Sequence, residues 1–453
     1  MKHLKIGITG VRGIIGDTFT PEMVVAFSQA FGTYLDSGRI LVCRDTRPSG
    51  PMVRAAVCAG LLATGCEVID LGICPTPSLQ LAVPWLGAQG GISITAGHNP
   101  MHWNALKFVQ GEGLYLTAAQ AEELLDVYHQ AEFIKARWEQ IRTQLRTAEA
   151  IPHHIECLKN AFDVAAIQSR KLRVAVDCCN GSCSFLSPRW LEALGCQVLS
   201  VNDDVAAPFP HAPEPNPQTM AQLRAVVKAG SADIGFAHDA DGERLGVVTK
   251  KGEPLSKKLT LVLTAAIRLR QKKGPVVTNV STTRAIDTVA QEQGGSVVRT
   301  PVGQAYISEA MAEHRAVLGG EGSGGVVVPE VQRTHDSAAA IGLILEYLAT
   351  SGNGISTLVE QLPRYHMLKH NIPVAPHRIY SVLQRLHDET ETEPGMSVDL
   401  IDGLRFSWSD GWVHIRASNT ESMIRIIVEA DTSSRARDLL SWSRDRLALS
   451  GGI

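Results

Sequence analysis

Apolar positions along this chain alternate between two spacings for most of its length. Ile40–Arg44 is a compact apolar run that predicts a strand, Pro51–Thr64 carries its apolar residues at helical spacing, and Glu67–Leu71 returns to strand. Strand, helix and strand in that order predict a parallel sheet covered on both faces. A polar stretch from Thr117 to about Ile167 predicts a long helix. The strand rhythm then restarts at Lys171–Asp177, "KLRVAVD", and again at Gly274–Asn279, "GPVVTN". A proline-bearing connector, "LPRYHMLKHNIPVAP", precedes Gly403–Trp408 and Trp412–Ile415, which predict antiparallel strands, and Ser433–Leu447, which predicts a final helix. The expected fold class is α/β: three mixed α/β sandwich domains over residues 1–150, 151–255 and 256–368, then a small C-terminal α+β domain over residues 369–453.

Composition narrows the function classes. A formal net charge of −3 with 20% charged residues is ordinary for a globular protein and poor for a polyanion binder, so no nucleic-acid partner is expected. The first eight residues alternate like a strand, and no uninterrupted apolar run reaches the roughly 18 residues of a membrane span. A cytoplasmic protein without a membrane partner is the expectation. Most of the nine cysteines sit in apolar contexts and read as reduced core residues. Cys178, Cys179 and Cys183 are close together, but no histidine or second pair lies at zinc-finger spacing.

Four polar loops interrupt these elements. "GISITAGHNPMHWNALKF", Gly91–Phe108, reads as a strand that delivers a tight polar turn. In "FAHDADGERLGVV", Phe236–Val248, residues Asp239, Asp241 and Glu243 fall at i, i+2 and i+4, which on an extended loop sets three carboxylates to one side, as a hard divalent cation such as Mg²⁺ requires. A solvated acidic turn is the plainer reading. Arg244 argues against it, because a cation beside carboxylates suits a phosphate near a metal. "LGGEGSGGVVVP", Leu318–Pro329, is glycine-rich, yet a strand follows where a dinucleotide fingerprint needs a helix. Its Glu321 and Ser323 could bond sugar hydroxyls, or the segment is a plain glycine turn. "RASNTESMIR", Arg416–Arg425, gathers two arginines with hydroxyls and an amide around a turn, which suits a phosphate, although helix capping explains Ser-Asn-Thr as well.

In this order, one per expected domain, the four loops resemble the α-D-phosphohexomutase superfamily across essentially the whole chain. Thr9-Gly10-Val11-Arg12-Gly13 is similar to its N-terminal T-x-G-I-R-G loop, and "RDTRPSG" at Arg44–Gly50 to its R-D-x-R-x-S-G segment. The wording "HNPMHWNALKF" and "GGEGSGGVVVPE" is most similar to phosphoglucosamine mutases. The resemblance implies four domains around a central cleft and interconversion of hexose 6-phosphate and 1-phosphate through a bisphosphosugar. Glucosamine phosphate is the expected substrate, with glucose or mannose phosphate as the alternative, in a monomer or homodimer. It also implies Mg²⁺ held by Asp239, Asp241 and Glu243. Catalytic roles fall on the position of Gly97, His98, Lys107, Arg12 and Arg244, with Lys107 as general acid and base. Substrate contacts fall on Glu321, Ser323, Arg416, Ser418, Asn419, Thr420 and Arg425.

The resemblance breaks at one residue. The superfamily phosphorylates the serine of T-A-S-H-N-P, and Gly97 stands there, with no hydroxyl. Glu243 for aspartate, Gln304 for a histidine and Ser422 for a proline are milder departures. Three readings follow: a working mutase in which Thr95, Ser93 or His98 accepts the phosphoryl group or a free bisphosphosugar supplies it, a deliberate serine-to-glycine replacement in an active enzyme, or an inactive sugar-phosphate-binding homologue.

Overall fold

The computed structural model describes residues 5–7, 9–142, 146–352, 354–390, 395–418 and 422–449. Four sheets organise them. The first contains β1 (Lys5–Gly7), β2 (Gly10–Ile14), β3 (Arg39–Arg44), β4 (Glu67–Ile73), β5 (Gly90–Ile94), β6 (Trp103–Gln110) and β7 (Arg146–Thr147), in the order β1-β2-β6-β5-β3-β4-β7. The second holds β8 (Arg173–Asp177), β9 (Gln197–Val201), β10 (Ile234–His238) and β11 (Leu245–Thr249), in the order β11-β10-β8-β9. The third holds β12 (Pro275–Asn279), β13 (Ser296–Thr300), β14 (Leu318–Gly320) and β15 (Val326–Val327), in the order β13-β12-β14-β15.

These three sheets repeat one plan. In each, two parallel strands joined through a helix stand beside a third parallel strand, which a short loop joins to an antiparallel fourth. That loop is the Gly97 loop after β5, the Asp239 loop after β10 and the Glu321 loop after β14. Three of the four loops picked out by their chemistry therefore occupy one topological position, at the carboxyl end of a central parallel strand, where α/β sheets open their ligand crevices. The strands feeding them, β5, β10 and β14, are buried along their whole length, as apolar strands covered on both faces must be.

The fourth sheet is antiparallel throughout: β16 (His366–Pro373), β17 (Ser397–Asp399), β18 (Leu404–Trp408), β19 (Gly411–Ala417) and β20 (Met423–Ala430), in the order β16-β20-β19-β18-β17. Its core, built around Phe406, Val413, Ile426 and Leu439, shares no residue with the continuous core that runs from Leu41 through Phe236 to Ile341 across the first three sheets.

Two expectations need correction. The polar stretch after Thr117 is not one helix but Ala118–Gln130, Ala150–Ala161 and Val164–Arg170. Ala131 turns left-handed (φ 55°) and ends the first helix. The chain beyond it bonds to the first sheet's helices, Ile134 N–H to Thr33 Oγ1 and Ala136 N–H to the Ala63 carbonyl, both at 3.0 Å, and β7 then joins the sheet edge. Non-local hydrogen bonds outweigh local helical propensity there. The proline-bearing connector also contains a strand, β16, tolerated because it lies at a sheet edge and ends at its proline. The nine cysteines are free thiols, all buried except the half-buried Cys157.

Candidate active site

The Gly97 loop is held by a buried clamp. Arg47 and Asp45 are fully buried and paired, Nε to Oδ2 at 2.9 Å. The guanidinium then donates to three carbonyls of the loop: Gly97 at 2.8 Å and Asn99 at 2.7 Å through Nη2, and Pro100 at 2.6 Å through Nη1. A turn leaves carbonyls that no ladder satisfies, and a five-donor planar fork is the side chain that can collect them. Thr95 completes the clamp, its hydroxyl donating to Asp45 Oδ2 at 2.6 Å and accepting from Gly97 N–H at 3.0 Å. Gly97 adopts φ +52°, a left-handed conformation that glycine enters without strain, and a Cβ built there would lie 3.3 Å from Asp241 Oδ1. The position of the missing hydroxyl thus abuts the carboxylate loop.

In that second loop, Asp239 Oδ1 accepts from the backbone N–H of Glu243 and Arg244, both at 3.0 Å, and closes the turn. Asp241 Oδ2 accepts from Lys107 Nζ at 2.6 Å and Thr76 Oγ1 at 3.2 Å, while its Oδ1 is buried with no hydrogen-bond partner among the described residues. Glu243 accepts from Lys107 Nζ at 2.7 Å and from the Tyr115 hydroxyl. Ser337 holds the Gly242 carbonyl from outside, by its hydroxyl at 2.6 Å and its N–H at 3.1 Å.

Charge in this cluster is unevenly balanced. Burial and the neighbouring Asp241 carboxylate push Asp239 well above the usual carboxylate range. Burial would raise Asp241 too, but the Lys107 ammonium holds it below its ordinary value. Burial likewise opposes the Lys107 charge, and Asp241 with Glu243 more than offsets it, so the ammonium persists well above its usual range. Lys107 bridges Asp241 and Glu243 with a single positive charge, and no three His, Cys, Asp or Glu among the described residues form a metal-holding group. Asp239 and Asp241 nevertheless fit a hard cation. They are two buried carboxylates in excess of their counter-charge, one with an orphaned oxygen.

The three loops enclose a cleft of about 440 Å³. Arg12, Gly97, His98, Lys107, Glu243, Arg244, Glu321, Ser323 and Arg425 line it, with Thr9, Tyr115, Gln304 and His335. Asp239 and Asp241 are buried outside that lining. Glu321 is oriented by Asn279 Nδ2 at 2.9 Å. Arg244 donates to Glu214 Oε1 at 2.8 Å, and Lys257 binds the same oxygen. Arg416 and Ser418 are not in the lining: the Arg416 guanidinium lies 3.0 Å from Asp402 Oδ2, which also accepts from Val302 N–H at 2.9 Å. Asn419 and Thr420 lie outside the described residues. Chain reading picked out neither the roles of Asp45, Arg47, Thr76 and Tyr115 nor His335, a buried cleft histidine that burial keeps below its usual pKa. The D-x-R spacing in "RDTRPSG" was the only local signal for the clamp.

Comparison with known proteins supplies the context. Models described as phosphoglucomutase/phosphomannomutase α/β/α domains I, II and III match residues 3–135, 152–252 and 256–365, and the C-terminal domain of the same family matches 378–441. A phosphoglucomutase/phosphomannomutase of Thermococcus kodakarensis is 37% identical over 441 residues, 96% of each chain. A probable phosphoglucosamine mutase of Methanopyrus kandleri is 35% identical over 436 residues, 96% of this chain and 95% of that one. The crystal structure of a phosphoglucomutase/phosphomannomutase family protein from Burkholderia thailandensis superimposes with a TM-score of 0.86 at 27% identity, covering 98% of this chain and 97% of the other.

Proposed function

Because this chain belongs to the phosphoglucomutase/phosphomannomutase family, matched by all four of its domain models, we propose that it moves a phosphoryl group between the 6- and 1-oxygens of a hexose phosphate through a bisphosphosugar, with glucosamine phosphate the preferred substrate. The observation that carries the reading is Lys107, an ammonium 2.6 Å and 2.7 Å from two carboxylates in a cleft that also presents Arg12, Arg244 and Arg425.

Each group has a task in that chemistry. Phosphoryl transfer asks little of a protein beyond positioning and charge neutralisation. Arg425 and Arg244 meet phosphate oxygens at either side of the cleft, and Lys107 gives a proton to, or takes one from, the sugar oxygen that leaves or attacks. Glu321 and Ser323 bond sugar hydroxyls, and the Glu321 carboxylate also suits the ammonium of glucosamine. Asp239 and Asp241 would hold Mg²⁺, which would supply further neutralisation of the transferring group. We propose a cytoplasmic enzyme that is a monomer or homodimer; separately, no helix among the described residues is long and apolar enough to cross a membrane.

A coupled assay of the purified protein with glucosamine, glucose and mannose phosphates, each with a catalytic amount of its bisphosphosugar, tests this. Turnover with the highest kcat/KM on glucosamine phosphate is expected. Gly97 favours a second reading, a binder without turnover: calorimetric binding of hexose phosphates with no conversion of any of them would establish it instead.

A further inference from the structure

One way for such a mutase to work is a group on the protein that carries the phosphoryl between the two sugar oxygens, and the cleft narrows the choice of that group. Gly97 has no side chain. Thr95 is fully buried with its hydroxyl committed inside the clamp, donating to Asp45 at 2.6 Å and accepting from Gly97 at 3.0 Å. Ser93 is buried outside the cleft lining, its hydroxyl shared with Thr76 at 2.9 Å and Cys43 at 3.4 Å. The Tyr115 hydroxyl donates to Glu243, and the Ser323 hydroxyl lies 3.4 Å from Glu321. Of the two histidines in the lining, His335 has its Nε2 buried away from solvent. His98 is different. It follows Gly97 directly, lines the same cleft, is only half-buried, and has no hydrogen bond or ion pair to any described residue.

We propose that His98 is the phosphoryl carrier of this chain, a phosphohistidine next to the position where a serine is missing. The proposal rests on the mutase reading above and deepens it. A ring nitrogen of the neutral imidazole attacks the phosphorus of a bound bisphosphosugar. The N–P bond forms as the P–O bond to the sugar breaks, and the leaving sugar oxygen takes a proton from the Lys107 ammonium. In reverse, the free hydroxyl of a hexose monophosphate attacks the phosphorylated ring, the N–P bond breaks, and that hydroxyl's proton returns to Lys107. Two features suit the ring to this. Burial, then Arg244, Arg12, Lys107 and Lys257, hold the imidazole well below its ordinary pKa, so its lone pair is free at neutral pH. The same four cations balance the phosphoryl charge once it arrives.

The test is chemical. The full chain is incubated with glucose 1,6-bisphosphate and its intact mass read at neutral pH, after acid and after alkali. His98→Asn and the double variant Gly97→Ser/His98→Asn are treated alike, with circular dichroism to confirm folding and the coupled assay run on each. The expected result is an increment of about 80 Da that survives alkali and is lost in acid, absent from His98→Asn together with turnover. In the double variant an acid-stable increment and some turnover are expected to return. An acid-stable increment on the natural chain, or undiminished turnover by His98→Asn, overturns the carrier while leaving the mutase reading intact. Absence of both increment and turnover from the natural chain overturns both.

Discussion

Two polar junctions in this molecule are built in opposite ways. At the Gly97 loop, the Asp45 and Arg47 side chains are 0% exposed, and the guanidinium collects three loop carbonyls. Where the fourth sheet meets the third, Arg284 lies 3.3 Å from Asp431 with side chains 26% and 48% exposed, and the ties include Arg284 N–H to Glu429 at 2.8 Å, Arg284 Nη2 to the Ser409 carbonyl at 3.1 Å, Ser281 Oγ with His414 Nδ1 at 2.8 Å, and Val302 N–H to Asp402 at 2.9 Å. The first three sheets share an apolar core and the fourth has its own. Reacting groups must be fixed within fractions of an ångström, which burial enforces, whereas a module proposed to grip the far phosphate has to admit and release substrate. A small polar interface is what permits relative domain motion.

The contrast can be broken or sharpened by experiment. The largest effect belongs to Lys107→Met, which removes the proposed proton carrier and should lower kcat by about 10²- to 10⁴-fold while the fold persists. Unchanged kcat would move the chemistry elsewhere. Arg47→Ala leaves Asp45 buried without its counter-charge, held only by Thr95 and a backbone N–H, a loss of about 3–5 kcal/mol in denaturant unfolding. A loss below about 1 kcal/mol would place this clamp in the class of exposed pairs and erase the distinction. Gly97→Ala forces a side chain into the left-handed region and against Asp241, and thermal or chemical unfolding should register about 1–2 kcal/mol. A stabilised Gly97→Ala protein would mean that the loop relaxes to another conformation.

Acid should act at two buried histidines, His238 on β10 and His414 on β19. Burial pushes His238 and His414 down to about 4, in each case against nearby acceptors or carboxylates that oppose it. A depressed folded pKa stabilises the native state above the unfolded value of about 6.5, and that contribution is lost as pH falls through the folded one. Stability is thus expected to decline between pH 6.5 and about 4, and in His238→Gln the slope should fall by up to about 1.4 kcal/mol per pH unit. An unchanged slope would show that His238 is not neutral in the fold. The smallest effect is expected from Arg284→Ala, no more than about 1 kcal/mol because water screens the pair, alongside a larger change in KM than in kcat. A cost like that of Arg47→Ala would make the two junctions alike.

By itself the sequence determined the layered α/β plan, because a strand buried on both faces and a helix buried on one leave different apolar spacings in the chain. It also marked the four loops, since glycine, aspartate and arginine gather where backbone turns and charge is handled. Only the tertiary structure decided the rest. Lys107 meets Asp241 and Glu243 across 134 and 136 residues of chain, and Arg47 reaches Gly97 across 50. The shared position of three loops depends on the strand order of three sheets, which hydrophobic periodicity does not encode. That Arg416, expected from its motif to bind phosphate, also lies 3.0 Å from Asp402 is set by the cross-strand register of the strand that carries it. And whether Thr95, Ser93 or His98 has a free nucleophilic atom is a question of hydrogen-bond partners, which come from elements brought together by packing and cannot be read from residues adjacent in the chain.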